Sequence, residues 1–223
     1  MDRQEHWEGV YQTRRPDEVS WFQPHASLSV ELIVSAMPDR DAPILDVGGG
    51  ASMLVDDLLR EGYRDITVLD LAASALQTVA DRLGSNADRV SFLTGDVTDT
   101  PLPAASVALW HDRAVFHFLT DPVDRRRYLE QVSRCVMPGG LVLVATFAED
   151  GPTRCSGLEV ARYSPSALHS VFGGDFELLE SRREVHQTPA GATQPFTYCL
   201  CRFRPSRQAA VNRAPDGLQN GAT

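Results

Sequence analysis

Apolar residues recur along this chain in two periods. Continuous apolar runs near 43–47, 66–70, 90–94, 106–111 and 140–147 are bounded by glycine, proline or acidic residues and read as strands. Between them, near 53–62, 73–84 and 122–136, the spacing is helical. Alternation of strand and helix predicts a parallel sheet. Upstream lie an aromatic-rich helical leader over 4–13, a loop from Pro16 to Pro24 and a helix over 26–37. Downstream, a short helix over 165–172 precedes two strand-like runs, 176–186 and 195–204. Thr188-Pro189-Ala190-Gly191-Ala192 joins them as a hairpin, so one late strand must run antiparallel. Residues 1–204 are expected to form a single domain, with 1–38 as a helical lid. The apolar-poor stretch 205–223 reads as a disordered tail.

Composition narrows the chemistry. With 43% hydrophobic content in 223 residues, one core that buries about 70% of the unfolded surface is expected. All 21 basic residues are arginine. That excludes a Walker-type phosphate loop, a Schiff-base lysine and an amine base. The formal charge of −9 and the absence of a basic block beyond Arg125-Arg126-Arg127 argue against nucleic acid as a partner. No apolar run approaches the roughly 20 residues that span a bilayer, and no secretory segment is apparent. A cytoplasmic protein without a membrane partner is therefore expected. Cys135, Cys155, Cys199 and Cys201 form no C-x-x-C pair and are expected as reduced thiols. Cys199 and Cys201, two apart in a strand, share one face and read as packing residues. No metal site is expected.

The run Pro43-Ile44-Leu45-Asp46-Val47 ends in an acid and then in Gly48-Gly49-Gly50. Glycines there remove the Cβ atoms that would block a ligand's approach to the backbone. Twenty residues past Gly50, Ile66-Thr67-Val68-Leu69 ends in Asp70, where a carboxylate meets the two hydroxyls of a ribose. Two acids at two strand ends imply an adenosine ligand.

Dinucleotide enzymes share those two features, so the downstream motifs matter. They are Gly95-Asp96-Val97 after Val90-Ser91-Phe92-Leu93, then Leu102-Pro103 before Val107-Ala108-Leu109-Trp110, then Pro138-Gly139-Gly140 before Leu141-Val142-Leu143-Val144. In this order they resemble the class I S-adenosylmethionine-dependent methyltransferases over about residues 40–147. The resemblance implies an α/β fold: a Rossmann-like, doubly wound, seven-stranded and mostly parallel sheet with an antiparallel C-terminal hairpin strand. S-adenosyl-L-methionine is the implied cofactor. Asp46 would face its amino-acid half, Gly48, Gly49 and Gly50 its backbone-facing edge, and Asp70, with Leu71 beside it, its ribose. Asp96 and the Val97 amide would meet the adenine. The family's third glycine is replaced by Ser52, small enough to fit and able to cap the following helix.

Trp7, Tyr11, Trp21 and Phe22 crowd the first 22 residues. In methyltransferases similar to the thiopurine and thiol enzymes, such a leader folds over the cofactor, although packing on the sheet edge fits as well. His25 reads as a surface residue. Catalytic chemistry is expected in Trp110-His111-Asp112-Arg113-Ala114-Val115-Phe116-His117-Phe118, with His111 as candidate base, Asp112 holding its ring or positioning an acceptor cation, and Arg113 beside them. The competing reading has Asp112 paired with Arg113 and His117 packed. Asp112-Arg113-Ala114 also looks like the Asp-Lys-Gly stretch of some protein lysine methyltransferases. Arg154, Cys155, Tyr163 and His186 are acceptor-pocket candidates. The expected acceptor is an oxygen, nitrogen or sulfur atom of a small molecule. A protein-lysine methyltransferase, a nicotinamide oxidoreductase and a non-catalytic cofactor-binding protein are the alternatives.

Overall fold

Each of the apolar runs becomes a strand in the computed structural model, which describes residues 2–206. In chain order the helices are α1 (Arg3–Thr13), α2 (Ser27–Ala36), α3 (Leu54–Arg60), α4 (Ala73–Leu83), α5 (Pro122–Cys135) and α6 (Pro165–Phe172). The strands are β1 (Ile44–Val47), β2 (Ile66–Asp70), β3 (Val90–Thr94), β4 (Val107–Arg113), β5 (Val136–Phe147), β6 (Arg154–Cys155), β7 (Leu158–Glu159), β8 (Phe176–Gln187) and β9 (Thr193–Phe203). Seven of them form one sheet in the order β3-β2-β1-β4-β5-β9-β8. The first five are mutually parallel, and β9 runs antiparallel to both β5 and β8. The expected α/β sheet closed by a C-terminal hairpin is thus the observed architecture.

Side-chain alternation sorts the strand residues into two cores. Ile44, Val68, Leu109 and Leu143 face α2, α3 and α4, whereas Leu45, Leu69, Trp110 and Val142 face α5 and α6. Cys199 and Cys201 both lie in the second core, as their spacing predicts. Strand order reverses direction between β1 and β4. Carboxyl ends of strands diverge at such a point, and a crevice opens there.

Several boundaries differ from the sequence reading. β5 begins at Val136, which pairs with Val107 across an irregularity before Leu109 meets Leu141, so Pro138-Gly139-Gly140 lies inside the strand. β4 continues to Arg113. The small β6–β7 hairpin, turned by Ser156 at φ 49° and Gly157 at φ 80°, is too short for periodicity to reveal. Ser52 lies one residue before Met53, the N-cap of α3, rather than at the cap itself, and its hydroxyl accepts from the Leu54 amide at 3.0 Å. Residues 207–223, most of the expected tail, lie outside the described residues. Among the described residues no helix is long and apolar enough to cross a membrane.

Candidate active site

Two adjoining chambers occupy the crevice at the strand ends. The first, with an empty volume of about 760 Å³, is floored by Val47, Gly48, Leu69, Asp70, Leu71, Gly95, Asp96 and Val97. Its roof is Arg3, Trp7 and Tyr11 of α1, with Trp21 and Phe118. The second, of about 550 Å³, lies between the ends of β1 and β4 and the start of α2, with Ser29, Asp46, Gly49 and His111 in its wall. Trp21, Gly48 and Arg113 line both.

The glycine turn is built for close approach. Gly48 and Gly50 adopt φ of 63° and 46°, which a side chain resists. The Gly48 amide donates to the Leu69 carbonyl at 2.7 Å, tying the turn to β2. A Cβ at Gly48 would collide with Val115, and one at Gly50 with the Tyr11 hydroxyl. Asp70 ends β2 with its carboxylate accepting from the Ala72 amide at 2.8 Å. Burial pushes its pKa up to about 6, with the Asp46 charge adding and backbone amides opposing.

His111 and Asp112 are neighbours in a strand and therefore point to opposite faces of the sheet. The expectation that Asp112 holds the His111 ring fails for that reason. Instead, Asp46, directly opposite His111 in the parallel β1–β4 register, takes its Nδ1 at 2.7 Å. Nε2 meets the Ser29 hydroxyl at 2.9 Å. All three are buried. Asp112 lines neither chamber. Fully buried on the other face, it accepts from the Val115 amide at 2.9 Å, the Phe116 amide at 3.0 Å and the Tyr128 hydroxyl at 2.7 Å. It thereby fastens the loop after β4 to α5.

Arg113 does not pair with Asp112. It bridges the leader and the late hairpin, donating to the Tyr198 hydroxyl at 2.8 Å, to Glu184 at 3.2 Å and to the Trp21 carbonyl at 3.3 Å. Its guanidinium also stacks 4.1 Å from the Phe196 ring centroid. Glu184 in turn accepts from Gln23 at 2.9 Å. The leader is fixed from the other side as well. Trp7 packs edge-to-face on Trp21 and Phe118, with centroids 5.6 and 5.1 Å apart. Arg3 bridges Asp96 and Asp124 at 3.0 and 3.4 Å. Glu8 accepts from the Ala73 amide at 2.5 Å, capping α4, whose own Ala72 has no capping side chain. Asp96 also accepts from the Thr98 amide and hydroxyl.

Of the remaining candidates, Cys155 lines the first chamber, with burial pushing its thiol up to about 11. His117 is buried, accepting from the Phe147 amide, and desolvation lowers its pKa to about 3. His186 bonds to the Ser20 carbonyl, Arg154 to the Gly157 carbonyl, Tyr163 packs on Phe116, and exposed His25 bonds to Asp57. Ser29, Arg3, Glu8 and Glu184 are absent from the sequence reading. Ser29 alone carries a readable signal, a polar residue in the stripe Ser29, Leu32, Ile33, Ala36, Met37 that α2 turns inward.

Residues 44–140 match a family model described as a methyltransferase domain. Over residues 44–140 the chain thus carries a methyltransferase domain, and its strand order and switch-point crevice are those of the class I S-adenosylmethionine-dependent methyltransferase fold. Among its relatives, the eEF1A lysine and N-terminal methyltransferase of Bos taurus is 26% identical over 217 residues, which cover 93% of this chain and 30% of that protein. EEF1A lysine methyltransferase 2 of Mus musculus is 23% identical over 200 residues, 81% of this chain and 74% of its own. The chain thus spans about 30% of the length of the first of these relatives. Solved structures share the fold. One described for conversion of a disulfide bond into a thioacetal group during echinomycin biosynthesis has a TM-score of 0.72 at 16% identity, covering 96% of this chain and 98% of its own. The Burkholderia thailandensis 1,6-didemethyltoxoflavin-N1-methyltransferase, with S-adenosylhomocysteine bound, has a TM-score of 0.61 at 21% identity, covering 79% and 77%.

The residues present fit the family's methyl donor. A bare glycine turn, a buried carboxylate at the end of β2 and apolar walls at Leu71 and Val97 suit a nucleoside. Among the described residues no group of three or more His, Cys, Asp or Glu side chains gathers to hold a metal ion.

Proposed function

We propose that this protein transfers the methyl group of S-adenosylmethionine to an oxygen, nitrogen or sulfur atom of a small molecule, with its N-terminal helical segment acting as a lid over the site. The observation that carries the reading is the aromatic roof. Trp7, Tyr11, Trp21 and Phe118 pack on one another and line the strand-end crevice, an apolar cover that favours a compact acceptor. Asp70 accepts from the ribose hydroxyls, Leu71 and Val97 flank the adenine, and Asp96 lies at its amino edge. The glycine turn offers backbone to the chain of the ligand. Bound there, the cofactor supplies an electrophilic methyl group on a sulfonium. The protein's part is alignment of an in-line displacement and exclusion of water. Both ring nitrogens of His111 are engaged, so its role is to hold Asp46 rather than to take a proton, and Asp112 supports the loop from behind.

A second reading, methylation of a protein amine, is favoured by the relatives that are named for acting on eEF1A. The two are separated by incubating the purified protein with methyl-tritiated donor, then with a panel of small phenols, amines and thiols or with eEF1A. Label in a small product supports the first reading. Label confined to eEF1A overturns it in favour of the second.

A further inference from the structure

The glycine turn after β1 is tied down at both ends by the strand and the helix that follow it. Its start hangs on β2, where the Gly48 and Gly49 amides donate to the Leu69 carbonyl at 2.7 and 3.3 Å. Its far end is held by one side chain of α4. Arg82 donates from Nη2 to the Ser52 carbonyl at 2.7 Å and from Nη1 to the Ala51 carbonyl at 3.3 Å. The same guanidinium grips Asp56 of α3 with two prongs, Nε to Oδ1 at 3.2 Å and Nη2 to Oδ2 at 2.7 Å. Solvent reaches little of the pair, whose side chains are 24% and 14% exposed.

The ion pair alone calls for no ligand. Arg82 lies in the last turn of α4 and Asp56 in the first turn of α3, where each charge complements its helix dipole. The two carbonyl bonds go beyond that. They use a planar fork that a lysine would lack, and they fall on the stretch between the last glycine and α3, whose N-cap Met53 supplies no side-chain bond. Glycine carries the greatest backbone freedom, so a turn of three glycines gains affinity for a ligand from whatever fixes its shape beforehand.

We infer that Arg82 is a positioning residue for cofactor binding, a clamp from α4 that pre-organises the glycine turn through the Ala51 and Ser52 carbonyls while Asp56 aims its guanidinium. This rests on the reading that the turn meets the cofactor. Arg82 lines neither chamber, so it acts through the turn without touching the ligand.

The test compares S-adenosylhomocysteine, whose chain extends past the ribose to the turn, with adenosine, which stops at the ribose. Calorimetry on the full chain gives the affinity of each for wild type, Arg82→Met, Arg82→Lys and Asp56→Asn, and circular dichroism melts register folding. Arg82→Met, which removes the carbonyl bonds and the ion pair together, is expected to weaken S-adenosylhomocysteine about tenfold and adenosine by less than about twofold. Lysine keeps the charge opposite Asp56 but not the fork, so Arg82→Lys is expected to lie within about threefold of Arg82→Met. Asparagine still offers the guanidinium an acceptor, so Asp56→Asn is expected to lie within about threefold of wild type. The reverse order, with Arg82→Lys near wild type and Asp56→Asn near Arg82→Met, would mean that only the ion pair matters and would overturn the inference. Equal weakening of both ligands, or unchanged affinity in Arg82→Met, would overturn it too. All of these leave wild-type binding and the cofactor reading intact, whereas a wild type that binds neither ligand ends both. Should Arg82→Met fail to fold, the order of Arg82→Lys and Asp56→Asn decides the matter.

Discussion

Asp112 offers a direct check on whether strand alternation has been read correctly. The perturbation is Asp112→Asn, which keeps the shape and removes the charge. In the folded wild type, burial raises the carboxyl pKa from the ordinary 3.8 to about 6, against the pull of Tyr128 and the Val115 amide. A raised folded pKa means that folding favours the protonated form. The stabilisation from this group is fully present below pH 3.8 and is lost as pH rises through about 6. A rise of about two pH units at roughly 1.4 kcal/mol each makes that loss about 3 kcal/mol between pH 4 and pH 7. Asparagine cannot ionise, so its stability curve should be flatter by about that amount. At pH 4 the variant should be less stable, because each oxygen of the protonated carboxyl still has a lone pair for the amides and hydroxyl around it whereas the asparagine nitrogen has none, a cost of about 1–3 kcal/mol. Near pH 7 the two effects nearly cancel. Urea unfolding followed by tryptophan emission at each pH from 4 to 8 gives the two curves. Parallel curves would refute the reasoning. So would a greater than about tenfold loss of S-adenosylhomocysteine affinity in the folded variant, which would be worth more than about 1.4 kcal/mol and would return Asp112 to the site.

Other consequences follow from the same geometry. Cofactor affinity should fall as pH drops below about 6, because the ribose hydroxyls need the ionised form of Asp70; calorimetry across pH 5–8 checks this, and Asp70→Ala should abolish binding at every pH. Ala114, at φ 73°, sits where an L side chain costs about 1–2 kcal/mol, so Ala114→Gly should stabilise the fold by about 0.5–1 kcal/mol after glycine's own entropy, read as a raised urea midpoint. Glu8→Gln weakens the cap that α1 places on α4, worth about 1 kcal/mol, and should speed S-adenosylhomocysteine release about threefold to tenfold in stopped-flow fluorescence. An unchanged release rate would detach α1 from gating.

Periodicity and glycine placement determined much of this protein by themselves. The parallel strands, the turn at Gly48 to Gly50, the acid ending β2 and the late antiparallel hairpin are all local signals. They follow from side-chain alternation and backbone sterics that act over a few residues. The common face of Cys199 and Cys201 was legible for the same reason. Strand alternation also contained the answer for His111 and Asp112, since adjacent strand residues cannot face one chamber. What tertiary structure decided is which groups meet across the chain. Asp46 finds His111 only because β1 and β4 are neighbours in register, and Ser29 reaches the pair only because α2 packs on that face of the sheet. Arg113 turns to Glu184 rather than Asp112 because the hairpin folds back beside β5. Arg3 and Glu8 acquire partners because α1 docks over the strand ends. Such pairings span tens to more than a hundred residues of sequence, and no local pattern of hydrophobic and polar positions encodes them. They arise when burial of the two apolar cores fixes the strand order, after which each buried polar group takes the partner left within its reach.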